Sequence, residues 1–246
     1  MAAVLQSIFL SSVALNLVSL LLGVKLISKR GGFSYLTSKV LPNSGTESSS
    51  PYSSFSPFYW HRKSQLDLLP PEANAIVFLG DSLTNEAEWQ ELLGNARVKN
   101  RGISADTTTG LFARLQPILV TNPEKIFLMI GINDLLNQQR STTDVLDSYR
   151  KILTKIQSQC PNTIVFVESL LPINRSLARS TFSNHTIADL NAQLKSLAAE
   201  FSYPYLDIFS HLVDEHYELS DQYTSDGVHL NGLGYQQWQQ VVASHI

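Results

Sequence analysis

Ala75-Ile76-Val77-Phe78-Leu79-Gly80-Asp81-Ser82-Leu83-Thr84 decides the fold. Five apolar residues run without alternation and stop at a glycine. A strand with one wet face would alternate, so this one is buried on both faces, as in a parallel sheet. Residues 126–130 repeat the pattern and stop at Gly131; residues 163–167 repeat it and stop near Glu168. Residues 205–208 form a shorter run, and a brief strand is expected at 97–100. Helical spacing fills the intervals, at residues 111–120, 142–159, 187–201 and 234–245. Strands alternating with helices predict an α/β domain on a parallel sheet. Sites in such sheets form where the strands end, at their carboxyl edge.

Four segments follow those ends or close the chain: Gly80-Asp81-Ser82-Leu83, Asn100-Arg101-Gly102-Ile103, Gly131-Ile132-Asn133-Asp134 and Asp226-Gly227-Val228-His229. A serine hydroxyl is a weak nucleophile until a base takes its proton. Histidine suits that task because its pKa lies near neutrality. Asp226 stands three residues before His229, close enough to orient the imidazole. Acyl transfer also needs donors aimed at the developing oxyanion. The amides of Ser82 and Gly102 and the side chain of Asn133 are the expected three.

This set of four blocks, in this order and spacing, resembles the SGNH hydrolase (GDSL esterase/lipase) superfamily. Residues 101–108 are similar to the corresponding block of its platelet-activating-factor acetylhydrolase-like subgroup. The resemblance implies a flavodoxin-like three-layer α/β/α sandwich around a central parallel five-stranded sheet. It implies hydrolysis of carboxylic esters with Ser82 as nucleophile, His229 as base and Asp226 as its orienter. Ser82, Gly102 and Asn133 would form the oxyanion hole. Thr84 stands where a Gly-x-Ser-x-Gly elbow needs its second glycine, which argues against an α/β-hydrolase. The expected substrate is a small-acyl ester, such as an acetyl group on a lipid or carbohydrate. An acyltransferase using the same acyl-enzyme and a catalytically silent binding module are the alternatives.

The chain has 246 residues, 43% hydrophobic and 16% charged, enough apolar material for a real core. Its net charge of −3 offers no basic surplus for phosphates, so a nucleic-acid partner is not expected. One cysteine, Cys160, excludes an intramolecular disulfide and a cysteine-based zinc cluster. His211, His216, Asp214 and Glu215 match no metal spacing, and neither a metal nor a cofactor is expected.

Residues 1–24 carry no Asp, Glu, Lys or Arg. With the apolar stretch at 13–27, they predict an N-terminal hydrophobic helix anchoring residues 1–30 in a membrane. A cleaved signal peptide is the second reading. Lys25, Lys29 and Arg30 favour a cytoplasmic C-terminal side, with export as the alternative. Residues 31–57, rich in Ser, Pro and Gly, read as a flexible tether. Residues 58–246 are left as the catalytic domain, with 14 basic against 20 acidic side chains.

Overall fold

In the computed structural model, helix α1 (Pro57–Leu68) is the first element bounded within the described residues, with the Ser56 hydroxyl accepting from the Tyr59 N–H. Lys25 and residues 55–246 are described. Strand β1 (Ile76–Gly80) follows, then two short helices, α2 (Ser82–Asn85) and α3 (Trp89–Leu92). Strand β2 (Val98–Gly102) leads to α4 (Thr108–Ala113) and α5 (Gln116–Leu119). Strand β3 (Lys125–Met129) precedes α6 (Ile132–Leu136) and α7 (Thr142–Gln159). Strand β4 (Ile164–Glu168) precedes α8 (Arg175–Ala178) and α9 (Asn184–Glu200). Strand β5 (Tyr205–Leu206) and α10 (Gly232–Val242) complete the regular elements.

The five strands form one parallel sheet in the order β2-β1-β3-β4-β5, which is the flavodoxin-like order. The register pairs Gly80 with Gly102 and with Met129, so the carboxyl ends of β1, β2 and β3 finish level. The continuous apolar runs have the expected cause: every residue of β1 is buried. On one face Phe78, Phe127 and Phe166 stack in a row, with centroids 4.6 Å apart at each step. Trp89 of α3 lies on Phe78, and Trp238 of α10 meets Trp89 edge-on. On the other face pack α1, α4, α5, α7 and α9, with Tyr149, Ile152 and Ile156 fully buried. The α/β class and the five-stranded parallel sheet are as expected.

The details differ at several places. The helix expected at 111–120 is two helices, α4 and α5. Pro117 explains the break: it donates no N–H and its ring crowds the carbonyl four residues back. The strand expected at 205–208 is reduced to two residues, because the Ile208 and Phe209 N–H groups donate to Ser169 Oγ instead of a ladder. Helix α1 has weak amphipathic patterning and was not anticipated; Tyr59 is its buried contact and donates to Gly110 O at 3.0 Å. The expected membrane anchor (1–30) and tether (31–57) lie outside the described residues, apart from Lys25 and residues 55–57. Among the described residues no helix is long and apolar enough to cross a membrane.

Candidate active site

The turn that presents Ser82 follows from Gly80 and Asp81. A Cβ on Gly80 would collide with Met129 O and the Thr84 hydroxyl, so only glycine lets β1 turn into α2 there. Asp81 Oδ1 accepts from the Leu83 N–H at 3.1 Å and caps α2. Among the described residues its second carboxyl oxygen is buried without a partner, and burial raises the Asp81 carboxyl to about 7. The far end of α2 would leave carbonyls orphaned. Asn100 Nδ2 donates to two of them, Thr84 O and Asn85 O, at 2.9 and 3.1 Å, and to Ala87 O just beyond the helix at 2.9 Å. Tyr235 and Trp89 add bonds to Leu83 O and Thr84 O at 2.9 and 2.8 Å. The Ser82 backbone is therefore fixed by partners on three other segments.

Asp226 and His229 come from the loop before α10. Thr224 Oγ1 accepts from Gly227 N at 2.9 Å, and Gly227 takes φ +87°, a value that favours glycine. Asp226 Oδ1 then accepts from the Val228 and His229 N–H groups at 2.9 and 2.8 Å. That leaves Oδ2 for His229 Nδ1 at 2.7 Å, and His229 Nε2 stands 3.0 Å from Ser82 Oγ. The three side chains form one hydrogen-bonded line. A carboxylate on Nδ1 selects the tautomer with its proton there, so Nε2 accepts from the serine hydroxyl. Partial burial works to raise the Asp226 carboxyl, but the bonds from His229 and the two amides outweigh it and hold it at about 2. Ser82 is 6% exposed, so its hydroxyl is reached from the mouth but shielded from bulk water.

Asn133 sits in the first turn of α6, behind Gly131 at φ +126°. Its Nδ2 donates to Asp106 O at 3.0 Å, and its Oδ1 accepts from Asn137 Nδ2 at 2.7 Å. One Nδ2 hydrogen stays available. Among the described residues the Ser82 N–H has no hydrogen-bond acceptor. Gly102 differs from the expectation. Its N–H donates to Asn100 Oδ1 at 2.8 Å and is not free for a ligand. The missing side chain serves packing instead, because a Cβ there would press into the Asn85 backbone and lie 2.8 Å from Asp81 O. Among the described residues the Ser104 and Ala105 N–H groups on that loop have no acceptor, and Ala105 is the exposed one, at φ +62°. Ala105 lies between Ser104, which holds Asn85, and Asp106, which holds Asn133. Nothing in the residue type marks it; the positive φ is visible only in three dimensions.

A buried frame supports these loops. Arg114, 3% exposed, bonds Asp106 Oδ2, Arg101 O and Gly80 O at 2.7, 2.8 and 2.9 Å. One guanidinium thus joins the ends of β1 and β2 to the loop that carries Ala105. Asp134 accepts from Thr108 N, Thr108 Oγ1 and Arg140 at 2.9, 2.6 and 2.6 Å. Glu168 at the end of β4 accepts from Trp238 Nε1 at 2.8 Å, and burial raises its carboxyl to about 8. Among the described residues no group of three or more His, Cys, Asp and Glu side chains is placed to hold a metal ion.

The arrangement has counterparts in known proteins. The chain is 28% identical over 182 residues to platelet-activating factor acetylhydrolase IB subunit alpha2 of Rattus norvegicus, covering 71% of this chain and 76% of the relative. It superposes on a candidate platelet activating factor from Streptococcus pneumonia with a TM-score of 0.69 and 28% identity, covering 76% of this chain and 90% of that one. A GDSL-like lipase from Bacteroides thetaiotaomicron shares the fold with a TM-score of 0.66 at 20% identity, covering 76% and 96%. The profile of the GDSL-like Lipase/Acylhydrolase family matches residues 78–237, from β1 into α10. That span is well over half of the sequence and includes all four loops of the site, so the chain belongs to the GDSL-like lipase/acylhydrolase family.

Proposed function

We propose that this protein is a serine esterase acting on small-acyl esters, acetyl esters above all, of lipid or carbohydrate alcohols. Ser82 Oγ attacks the ester carbonyl while His229 Nε2 takes its proton. Asp226 holds the imidazole and stabilises the imidazolium that forms. The negative oxygen is received by the Ser82 N–H, the Asn133 side chain and the Ala105 N–H, which takes the place first expected of Gly102. His229 then protonates the departing alcohol. Water, activated by the same nitrogen, releases the acid and restores Ser82.

The carrying observation is the line Asp226 Oδ2, His229 Nδ1, His229 Nε2, Ser82 Oγ, with steps of 2.7 and 3.0 Å. Family membership supports acyl hydrolysis, and the name of the rat relative supports a short acyl group. An active-site-directed phosphonate should label Ser82, found by peptide mass spectrometry. Ser82→Ala should abolish both labelling and p-nitrophenyl acetate turnover. A folded wild-type protein that takes no label at Ser82 would refute the assignment. We also propose that residues 1–30 hold the protein at a membrane, on the strength of the uncharged stretch 1–24. Deleting residues 1–57 should move the esterase from the membrane to the soluble fraction of a cell lysate; unchanged partitioning would exclude the anchor.

A further inference from the structure

Glu86 caps the C-terminal end of α2, where its N–H donates to Ser82 O at 2.9 Å. It stands four residues after Ser82, one helical turn on, and so shares its face. Its Oε1 lies 3.9 Å from His229 Nε2, and its side chain is 43% exposed. Among the described residues Glu86 has no Lys or Arg partner, whereas Glu72, Glu124, Glu200 and Glu218 each do. The other carboxylate at the mouth, Asp226, is committed to His229 and to backbone amides. The uncompensated charge at the reacting end of the imidazole is therefore that of Glu86.

The position defines which half of the substrate it meets. In the esterase reaction the alcohol oxygen leaves by taking the proton from Nε2, so the alcohol half must lie against that nitrogen. Glu86 is on that side. Resting on the esterase reading above, we propose that Glu86 is a specificity-determining residue that reads the charge of the alcohol half. It favours esters whose alcohol carries a cationic ammonium group near the ester oxygen and disfavours anionic ones. At a separation of about 5–6 Å and an effective dielectric constant of about 40–80, one charge is worth roughly a 3- to 20-fold preference.

Acetylcholine and 3,3-dimethylbutyl acetate differ only by a quaternary nitrogen against a quaternary carbon, so their ratio of kcat/KM isolates that charge. It should be measured on the full chain for wild type, E86Q and E86K. The expected ratio falls about 3- to 20-fold in E86Q and further in E86K, and 1 M salt narrows the wild-type preference. Turnover of the neutral ester with a ratio that is the same in all three proteins overturns this assignment and leaves the esterase reading intact. Absence of turnover of both esters together with absence of phosphonate labelling at Ser82 overturns both.

Discussion

Replacing Arg114 by Met should cost more than any surface change, and the structure says how much. The guanidinium is 3% exposed and its partner Asp106 is fully buried. Methionine keeps much of the volume but leaves the carboxylate with one bond, from the Thr107 N–H at 2.8 Å. It also strips Arg101 O and Gly80 O of their side-chain donor. Breaking a buried pair from one side typically costs about 3–5 kcal/mol, because a charge is left uncompensated. For a domain of this size about 1 kcal/mol moves Tm by roughly 2–4 °C, so a fall of about 6–20 °C is expected in thermal unfolding. Adding Asp106→Asn removes the stranded charge, and the double variant should regain part of the loss, with a coupling of about 1–3 kcal/mol. The Asp106 carbonyl also holds Asn133. Displacing that loop should lower kcat by about 10- to 100-fold in the protein that remains folded. A Tm within about 3 °C of wild type for Arg114→Met would mean that the frame does not carry the stability assigned to it.

Asn133→Ala should reduce kcat by roughly 10²–10³-fold if its free hydrogen meets the oxyanion, read in steady-state kinetics on p-nitrophenyl acetate. Asp226→Asn should lower kcat on the order of 10³-fold, less than the ~10⁴ of a fully buried orienting carboxylate, since its side chain is 53% exposed. Gly102→Ala should lower Tm by crowding the Asn85 backbone, at about 1–3 kcal/mol; a variant with normal Tm and lost kcat would instead mean that the bare Gly102 backbone faces the substrate. Glu168 titrates near 8 when folded and near 4.3 when unfolded. The folded state therefore keeps a proton that the unfolded chain releases. Stability from this group is fully present below about pH 4.3 and declines as pH rises towards 8, by about 3 kcal/mol between pH 5 and 7.5. Asp81, raised to about 7, has the same sign. Glu168→Gln should flatten the fall of Tm across that range; an equal slope in both proteins would show that Glu168 is ionised when folded.

Strands β1, β3 and β4 were legible because burial on both faces leaves one composition, as in Ile76-Val77-Phe78-Leu79 and Ile126-Phe127-Leu128-Met129. Helices α7 and α9 were legible because an apolar stripe repeats over four turns or more. Helix α1 was not. Its residues carry little periodic signal, and Tyr59 earns its burial from a contact with Gly110, 51 residues away. The short β5 failed for the reverse reason: Tyr205-Leu206-Asp207-Ile208 has strand composition, but a serine hydroxyl on another strand's loop takes the N–H groups that would extend the ladder. Local pattern reports what a segment can do, and distant partners decide whether it does.

The site divides along the same line. Ser82, Asp226 and His229 were readable because their chemistry lives in their side chains, and side chains are what a sequence spells out. A backbone N–H is carried by every residue except proline, so residue type cannot say which one faces a substrate. Gly102 attracted the assignment because glycine permits close approach. The approach it permits is to the Asn85 backbone and Asp81 O, and its N–H is taken by Asn100. Ala105, with nothing in its composition to recommend it, is turned to φ +62° with its N–H unbonded. A left-handed alanine costs of order 1–3 kcal/mol, and such strain persists only where surrounding contacts impose it. Here Asn85 holds Ser104 on one side, and Arg114 and Asn133 hold Asp106 on the other. Replacing Ala105 by glycine relieves the strain without removing the N–H. It should therefore leave stability equal or raised while the looser loop lowers kcat, a combination that crowding at a packing site would not produce.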